Sequence, residues 1–242
     1  MKAILLAAGV GSRIRPLTDD KPKSFIPVGG NSILERMLKA VQEVGMTEIG
    51  IVTGYRSEQV QAFIAEKFPN LNVTFMHNEK YEVTNTGYSL LLTKDFVGDD
   101  SFIKFDADVV FETEVLRKLI NSPVLSALCI DKNINLEAEE VKVITDAENK
   151  VVQVGKKLDP HQSTGESIGI EKIDAAAAKV LFAELETLMK DEANWQEYYD
   201  DSYTTLVAKG CPMYAVDITG LKWVEIDTHE DYAKAEEIFA LE

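Results

Sequence analysis

Apolar positions along the chain recur with two periods, and the two alternate through its first half. Met1–Leu6, Ile49–Thr53, Asn72–His77 and Ser101–Phe105 are short, largely β-branched or aromatic runs that predict strands. Ile33–Val44, Ser57–Lys67 and Tyr88–Lys94 carry helical spacing, and Asn31-Ser32 supplies a cap for the first of these helices. Strands alternating with helices in this way predict an α/β fold built on a mostly parallel sheet with helices on both faces.

The texture changes after about residue 120. Leu125–Ile130, Val141–Thr145 and Val151–Val154 read as strands joined by short polar turns such as Asp146–Asn149. They predict an antiparallel or mixed extension of the same sheet. Helices over Asp174–Lys190 and Trp195–Lys209 follow, then strands at Tyr214–Asp217 and Trp223–Ile226, and a last helix over His229–Leu241. With no repeat, low-complexity tract or linker, the expectation is one domain over residues 1–242. Residues 1–120 form a nucleotide-binding half and residues 121–242 an acceptor-binding half.

Composition narrows the classes. The chain is 45% hydrophobic and 27% charged, ordinary for a globular protein, with 41 acidic against 25 basic residues and a formal charge of −16. Such an excess repels nucleic acid and anionic membranes, so any anion has to be caught by a local basic pocket. Cys129 and Cys211 are isolated in apolar surroundings, without metal-ligand spacing, as expected of core thiols in a reducing compartment. The opening apolar run is too short for a signal peptide or a membrane span, which makes a cytoplasmic address the expectation. A monomer or homodimer is expected.

The first strand runs directly into Leu6-Ala7-Ala8-Gly9-Val10-Gly11-Ser12-Arg13, with Lys23 following Pro22. Gly9 and Gly11 let the backbone turn tightly and present N–H groups to anionic oxygens. The small Ala7 and Ala8 leave room for a base or ribose. Arg13 offers a planar fork suited to phosphate and Lys23 a point charge. A dinucleotide fingerprint would need a third glycine where Ile14 stands, and a Walker loop would need Gly-Lys-Ser/Thr at its far end. Two acidic pairs complete the chemistry. Asp106 and Asp108 follow a predicted strand, at the sheet edge where open α/β folds bind ligands, and Glu225 and Asp227 end another. A few carboxylate oxygens plus phosphate and water are the surroundings Mg2+ prefers.

Leu-Ala-Ala-Gly-x-Gly-Ser-Arg, Pro16-Leu17-Thr18, Pro22-Lys23, Pro27-Val28, Val52-Thr53-Gly54-Tyr55, Asp106-Ala107-Asp108 and Glu225-Ile226-Asp227 together resemble the signature of the sugar-phosphate and alcohol-phosphate nucleotidyltransferases. The resemblance spans nearly the whole chain and implies a Rossmann-like, GT-A-like fold and an Mg2+-dependent reaction. It implies that Asp108 and Asp227 are direct metal ligands, with Asp106 and Glu225 auxiliary. An acceptor phosphate, already mostly dianionic at neutral pH, would attack the α-phosphorus of a nucleoside triphosphate in line, with no general base needed. Lys23 and Mg2+ would stabilise charge on the α-phosphate, while Arg13 and the loop amides hold the departing pyrophosphate. His77, His161 and His229 are dispersed, and no catalytic histidine is expected.

The segment Asn78-Glu79-Lys80-Tyr81 with Asn85-Thr86-Gly87-Tyr88-Ser89-Leu90 resembles CTP-dependent cytidylyltransferases for phosphocholine, inositol 1-phosphate and aminoethylphosphonate. Tyr81, Asn85 and Ser89 are candidates for the base and acceptor sites, equally readable as a capped helix start with packing aromatics. By the same resemblance Lys156, with Lys157 a close competitor, meets the acceptor phosphate, and Glu166 begins a strand bordering the acceptor pocket. Trp195-Gln196-Glu197-Tyr198-Tyr199-Asp200-Asp201 joins aromatics to acids, a combination suited to an amine or quaternary ammonium. Asp201 is the first candidate there, Asp200 the second, and Tyr199 the aromatic. An amphipathic helix with core aromatics and solvated acids is the plainer alternative. The expected partners are CTP and a small phosphorylated amino-alcohol or aminoalkylphosphonate, with inositol 1-phosphate possible. The competing assignments are a sugar-1-phosphate nucleotidyltransferase using UTP, dTTP or GTP, and a non-catalytic regulatory domain of the same fold.

Overall fold

The computed structural model describes residues 1–133 and 136–240. The chain opens with β1 (Lys2–Ala7), the short pair β2 (Pro27–Val28) and β3 (Asn31–Ser32), and α1 (Ile33–Glu43). Ser32 caps α1 by accepting from the Glu35 amide. Next come β4 (Glu48–Thr53), α2 (Ser57–Lys67), β5 (Asn72–His77), α3 (Thr86–Leu91) and α4 (Lys94–Val97). The middle holds β6 (Phe102–Asp106), β7 (Val109–Phe111), α5 (Thr113–Asn121), β8 (Ala127–Asp131), β9 (Lys142–Thr145), β10 (Val151–Gly155) and β11 (Gly165–Ile173). It closes with α6 (Ala175–Leu188), α7 (Tyr199–Ala208), β12 (Tyr214–Asp217), β13 (Trp223–Glu225) and α8 (His229–Phe239). The expected last helix is present; its final residue, Leu241, lies outside the described residues.

The central sheet runs in the order β10-β9-β11-β6-β1-β4-β5, with β8 and β12 attached beside β11. Strands β6, β1, β4 and β5 are parallel, and β11 is antiparallel to β6, β8 and β9. This is the mixed, mostly parallel α/β sheet that the alternation predicts. Because β1 and β6 are adjacent and parallel, their carboxyl ends deliver the phosphate loop and Asp106 to the same sheet edge. Strand β13 pairs antiparallel with β7, Glu225 opposite Val109, and so brings Glu225 and Asp227 back to the turn that carries Asp108.

Apolar side chains on the two sheet faces form two cores. Ala3, Leu5, Ile103 and Phe105 pack against α1 and α5, while Ile4, Phe102, Ile173 and Leu181 pack on the other face. Successive residues of β1 and β6 point to opposite faces, so both strands are largely apolar, with Lys104 and Asp106 the charged residues of β6. No helix among the described residues is long and apolar enough to cross a membrane.

Two helices differ from expectation, each for a local reason. The helix expected over Tyr88–Lys94 starts earlier, at Thr86, because the Asn85 side chain accepts from the Thr86 amide. It stops at Leu91, where the Thr93 hydroxyl donates to the Leu90 carbonyl. The helix expected from Trp195 begins only at Tyr199, because the carbonyls of Trp195 and Glu197 accept from the amides of Asn85 and Gly87 instead of continuing a helix. Strand β7 and helix α5 add to the expected elements; the spacing of the buried Val115, Leu116 and Leu119 is the sequence signal for α5.

Candidate active site

The phosphate loop leaves β1 and wraps over Thr18 and Lys23. Gly11 has φ +65, and a Cβ there would lie 3.0 Å from Lys23 Cβ and 3.1 Å from Thr18 Cγ2, so only glycine fits. The Thr18 hydroxyl donates to the Gly11 carbonyl at 2.7 Å, and the Tyr55 amide donates to the Ala8 carbonyl at 3.1 Å, which fixes both ends of the loop. Tyr55 also donates its hydroxyl to the Asp19 carbonyl.

A cleft of about 1040 Å³ opens beside this loop. Of the residues singled out in the sequence, Leu6, Gly9, Gly11, Ser12, Arg13 and Lys23 line it on the loop side. Asp106, Asp108, Glu225 and Asp227 line its floor, and Asn85, Lys156, Glu166, Tyr199 and Asp200 the remainder. The others sit elsewhere. Ala7 and Ala8 are buried in the two cores. Tyr81 packs against Gly54 and Tyr55, and the Ser89 hydroxyl accepts from Asn78 inside the protein. Asp201 turns to Gly155 at the end of β10. Trp195, at the start of the aromatic and acidic stretch, holds the chain's own Lys80 ammonium 3.9 Å from its ring centroid. The place of Asp201 follows from helix phase: once α7 starts at Tyr199, Tyr199, Asp200 and Tyr203 face inward and Asp201 outward.

The floor holds a charged cluster. Lys23 Nζ donates to Asp108 Oδ2 at 2.8 Å and, by a shorter bond, to Asp227 Oδ1. Arg13 meets Asp227 Oδ2 at 2.6 Å. Burial alone would lower the Lys23 pKa, but Asp108 and Asp227 outweigh it and hold the ammonium above its usual range. Against the burial that would raise it, Lys23 correspondingly holds Asp108 below the usual carboxylate range.

One oxygen each from Asp108, Glu225 and Asp227 lies within 4.8 Å of the others, a donor set suited to a hard divalent cation. Asp108 Oδ1 is buried without a hydrogen-bond partner, and a monovalent ammonium already stands between Asp108 and Asp227. The residues present therefore fit a metal.

A second cluster beneath the cleft was not foreseen from the sequence. Lys104, opposite Glu171 in the β6–β11 register, is fully buried. Its ammonium reaches Glu171 Oε2 at 2.7 Å, Asp106 Oδ2 at 2.9 Å and the Gly169 carbonyl at 3.1 Å, and it touches the Tyr199 hydroxyl. Tyr199 also donates to Asp106 Oδ2, so Asp106 is held in this cluster rather than with the Asp108, Glu225 and Asp227 oxygens. Three acids, Asp106, Glu171 and Asp200, share one lysine. Burial and then repulsion from neighbouring carboxylates, Asp108 in the case of Asp106, raise all three against the pull of Lys104, Asp200 to about 7. The signal available in the sequence was a lone lysine inside the apolar run Phe102–Phe105 and a lone glutamate after Ile168-Gly169-Ile170.

On the far wall, the Lys156 ammonium lies 4.8 Å from the centroid of the Tyr198 ring and 4.0 Å from Glu139, which also approaches Arg13 at 3.9 Å. Cys129 is buried and its thiol pKa is raised by that burial, while Cys211 is half-buried, and both are free.

Comparison with known proteins agrees with this geometry. A model of the nucleotidyl transferase family matches residues 2–240. The chain is 28% identical to the CTP:phosphoglutamine cytidylyltransferase of Campylobacter jejuni, over 96% of this chain and 97% of that protein. It is 30% identical to the choline-phosphate cytidylyltransferase of Streptococcus pneumoniae, over 98% of each. The solved structure of CTP:phosphocholine cytidylyltransferase from Streptococcus pneumoniae has a TM-score of 0.80 against it at 27% identity, covering 98% of both chains.

Proposed function

The chain belongs to the nucleotidyl transferase family, and we propose that within it the protein transfers CMP from CTP to a small phosphorylated amino-alcohol or aminoalkylphosphonate. The observation that carries this is one cleft joining a glycine-turned phosphate loop, Arg13 and Lys23 to an acceptor wall of buried acids and tyrosines. That wall suits a cationic group more than a neutral sugar. The cytidylyltransferases among the relatives support the nucleotide choice. Residues 1–120 would carry the nucleotide and 121–242 the acceptor, with Glu225 and Asp227 returning to the nucleotide side. A reducing cytoplasm suits the two free thiols.

Asp108, Asp227 and Glu225 would hold Mg2+, which when bound neutralises phosphate charge and polarises the α-phosphate. In the chain itself, Lys23 puts a fixed positive charge where negative charge gathers on the oxygens of the pentavalent phosphoryl group. Arg13 and the amides of Gly9–Ser12 receive the pyrophosphate oxygens. Lys156 orients the acceptor phosphate, and Asn85 borders the base. One acceptor oxygen forms the new bond to the α-phosphorus as the bond to the bridging oxygen breaks and pyrophosphate leaves, with no proton needing removal at neutral pH.

The test is pyrophosphate release with Mg2+, each nucleoside triphosphate being paired with phosphocholine, 2-aminoethylphosphonate, inositol 1-phosphate and glucose 1-phosphate. Turnover with CTP and a cationic acceptor is expected. Turnover with UTP, dTTP or GTP and glucose 1-phosphate would overturn the acceptor assignment while leaving the phosphate loop in its role.

A further inference from the structure

Glu166 is an acid of the acceptor wall that no side chain among the described residues engages. It is the second residue of β11, 6% exposed, and lines the cleft, yet among the described residues its carboxylate has no hydrogen-bond or ion-pair partner. Its cross-strand neighbours are committed elsewhere. Asp131, opposite it on β8, accepts from the Asn133 amide at 2.9 Å and from Trp223 Nε1 at 2.9 Å. Lys142, opposite it on β9, gives its ammonium protons to the Glu140 and Lys156 carbonyls at 2.9 and 2.8 Å.

The carboxylate opens into the cleft with no donor from the described residues, so a ligand bound there can supply the hydrogen bonds that the fold leaves unmade. Burial, then Glu140 and Asp131, lift the Glu166 pKa to about 7 against the opposing pull of Lys234 and Lys142, so the surroundings already call for positive charge. Two kinds of cationic head would answer that charge, but only one answers the missing hydrogen bonds. A quaternary ammonium has no N–H, so it answers the charge but donates no hydrogen bond to a carboxylate. A primary ammonium brings three donors.

We propose that Glu166 sets acceptor specificity by accepting N–H groups from a primary ammonium, so that the acceptor is a phosphorylated or phosphonylated primary amine and not its trimethylated counterpart. This rests on the cytidylyl transfer proposed above.

Phosphoethanolamine and phosphocholine share the attacking phosphate and the two-carbon spacer and differ only in the three N-methyl groups, which makes them the diagnostic pair. With CTP and Mg2+, the wild-type protein is expected to favour phosphoethanolamine in kcat/KM by about tenfold or more, the size of one charge-assisted hydrogen bond. Glu166→Gln should bring the two acceptors to within about threefold, through a raised KM for phosphoethanolamine. Glu166→Asp, which keeps the charge, should retain part of the preference. A purely structural role would lower both acceptors alike. Equal or better use of phosphocholine by the wild-type protein overturns the inference, a result that needs no variant to fold. So does an unchanged ratio in Glu166→Gln. If neither amine is used with CTP while a sugar phosphate is used with another nucleotide, the failure lies in the functional proposal, and the inference falls with it.

Discussion

The Lys23 ammonium donates to Asp108 Oδ2 across 2.8 Å, tying the segment after the phosphate loop to the turn between β6 and β7. The same ammonium reaches Asp227 beyond β13, so one cation gathers three parts of the chain that are remote in sequence. Asp108 has a second, unpartnered oxygen on the buried side. Its replacement should therefore act on chemistry more than on folding. Asp108→Ala is expected to cut pyrophosphate release to below about 1% of wild type while the melting temperature stays close to that of the parent. Retained activity of more than a few per cent would remove Asp108 from the metal site.

Lys23→Met removes the cation and leaves Asp108 and Asp227 facing each other. Without divalent metal this variant should be less stable than the wild type, and added Mg2+ should raise its melting temperature more than the parent's, since no ammonium occupies the carboxylates. Thermal melts across an Mg2+ titration check this. Equal shifts in the two proteins would separate Lys23 from the metal-binding acids.

Much of the first half could be read from the sequence because the relevant signals are local. The phosphate loop has its own glycines and basic residues, and the α1 cap and the strand–helix alternation are written within windows of a dozen residues. The Lys104–Glu171 pair was not legible, because it exists only through the antiparallel register of two strands far apart in the chain. Either residue alone shows only a charge within or beside an apolar run, with no sign of its partner. The acceptor wall was misjudged at Asp201 for a similar reason: four residues of turn, held by amides from α3, shift the phase of α7 and exchange which acids face inward.

Lys104→Met should be strongly destabilising, by about 3–5 kcal/mol, because it strands Asp106 and Glu171 without their shared cation. Chemical denaturation measures the loss. The double variant Lys104→Met, Glu171→Gln should recover part of it, whereas simple loss of packing would leave both variants equally weakened.

Glu166 gives a pH signature. Its folded pKa of about 7 lies above the ordinary glutamate value of 4.5, so between these the folded protein holds a proton that the unfolded chain has released. The associated stability is complete below about pH 4.5 and is lost as pH rises through 7. Glu166→Gln should therefore gain on the wild type by up to about 3 kcal/mol at pH 8, and show little gain at pH 4. Denaturation curves at the two pH values decide it, and a pH-independent difference would remove the titrating carboxylate from the explanation.

Gly169 has φ +74, and a Cβ there would lie 2.5 Å from Asp106 Oδ2. Gly169→Ala should cost about 1–2 kcal/mol in backbone strain alone and, by pushing Asp106 off Tyr199, lower turnover as well. A variant with wild-type kinetics would show that the place of Asp106 is immaterial to the reaction.

Strand β11 is where these effects converge, and its layout bears on how the protein can change. Glu166 near its start lines the cleft on the side proposed for the acceptor, while Gly169 and Glu171 further along surround the Lys104–Asp106 pair. A family diversifying over acceptors can vary position 166 of such a strand, whereas a Cβ at Gly165 would lie 2.5 Å from the Asp131 carbonyl, and Gly169 and Glu171 are tied to Lys104 on the neighbouring strand. New substrates are thus most accessible through changes at one end of a single nine-residue segment, and a directed library confined to that end would sample acceptor choice without touching the phosphoryl chemistry.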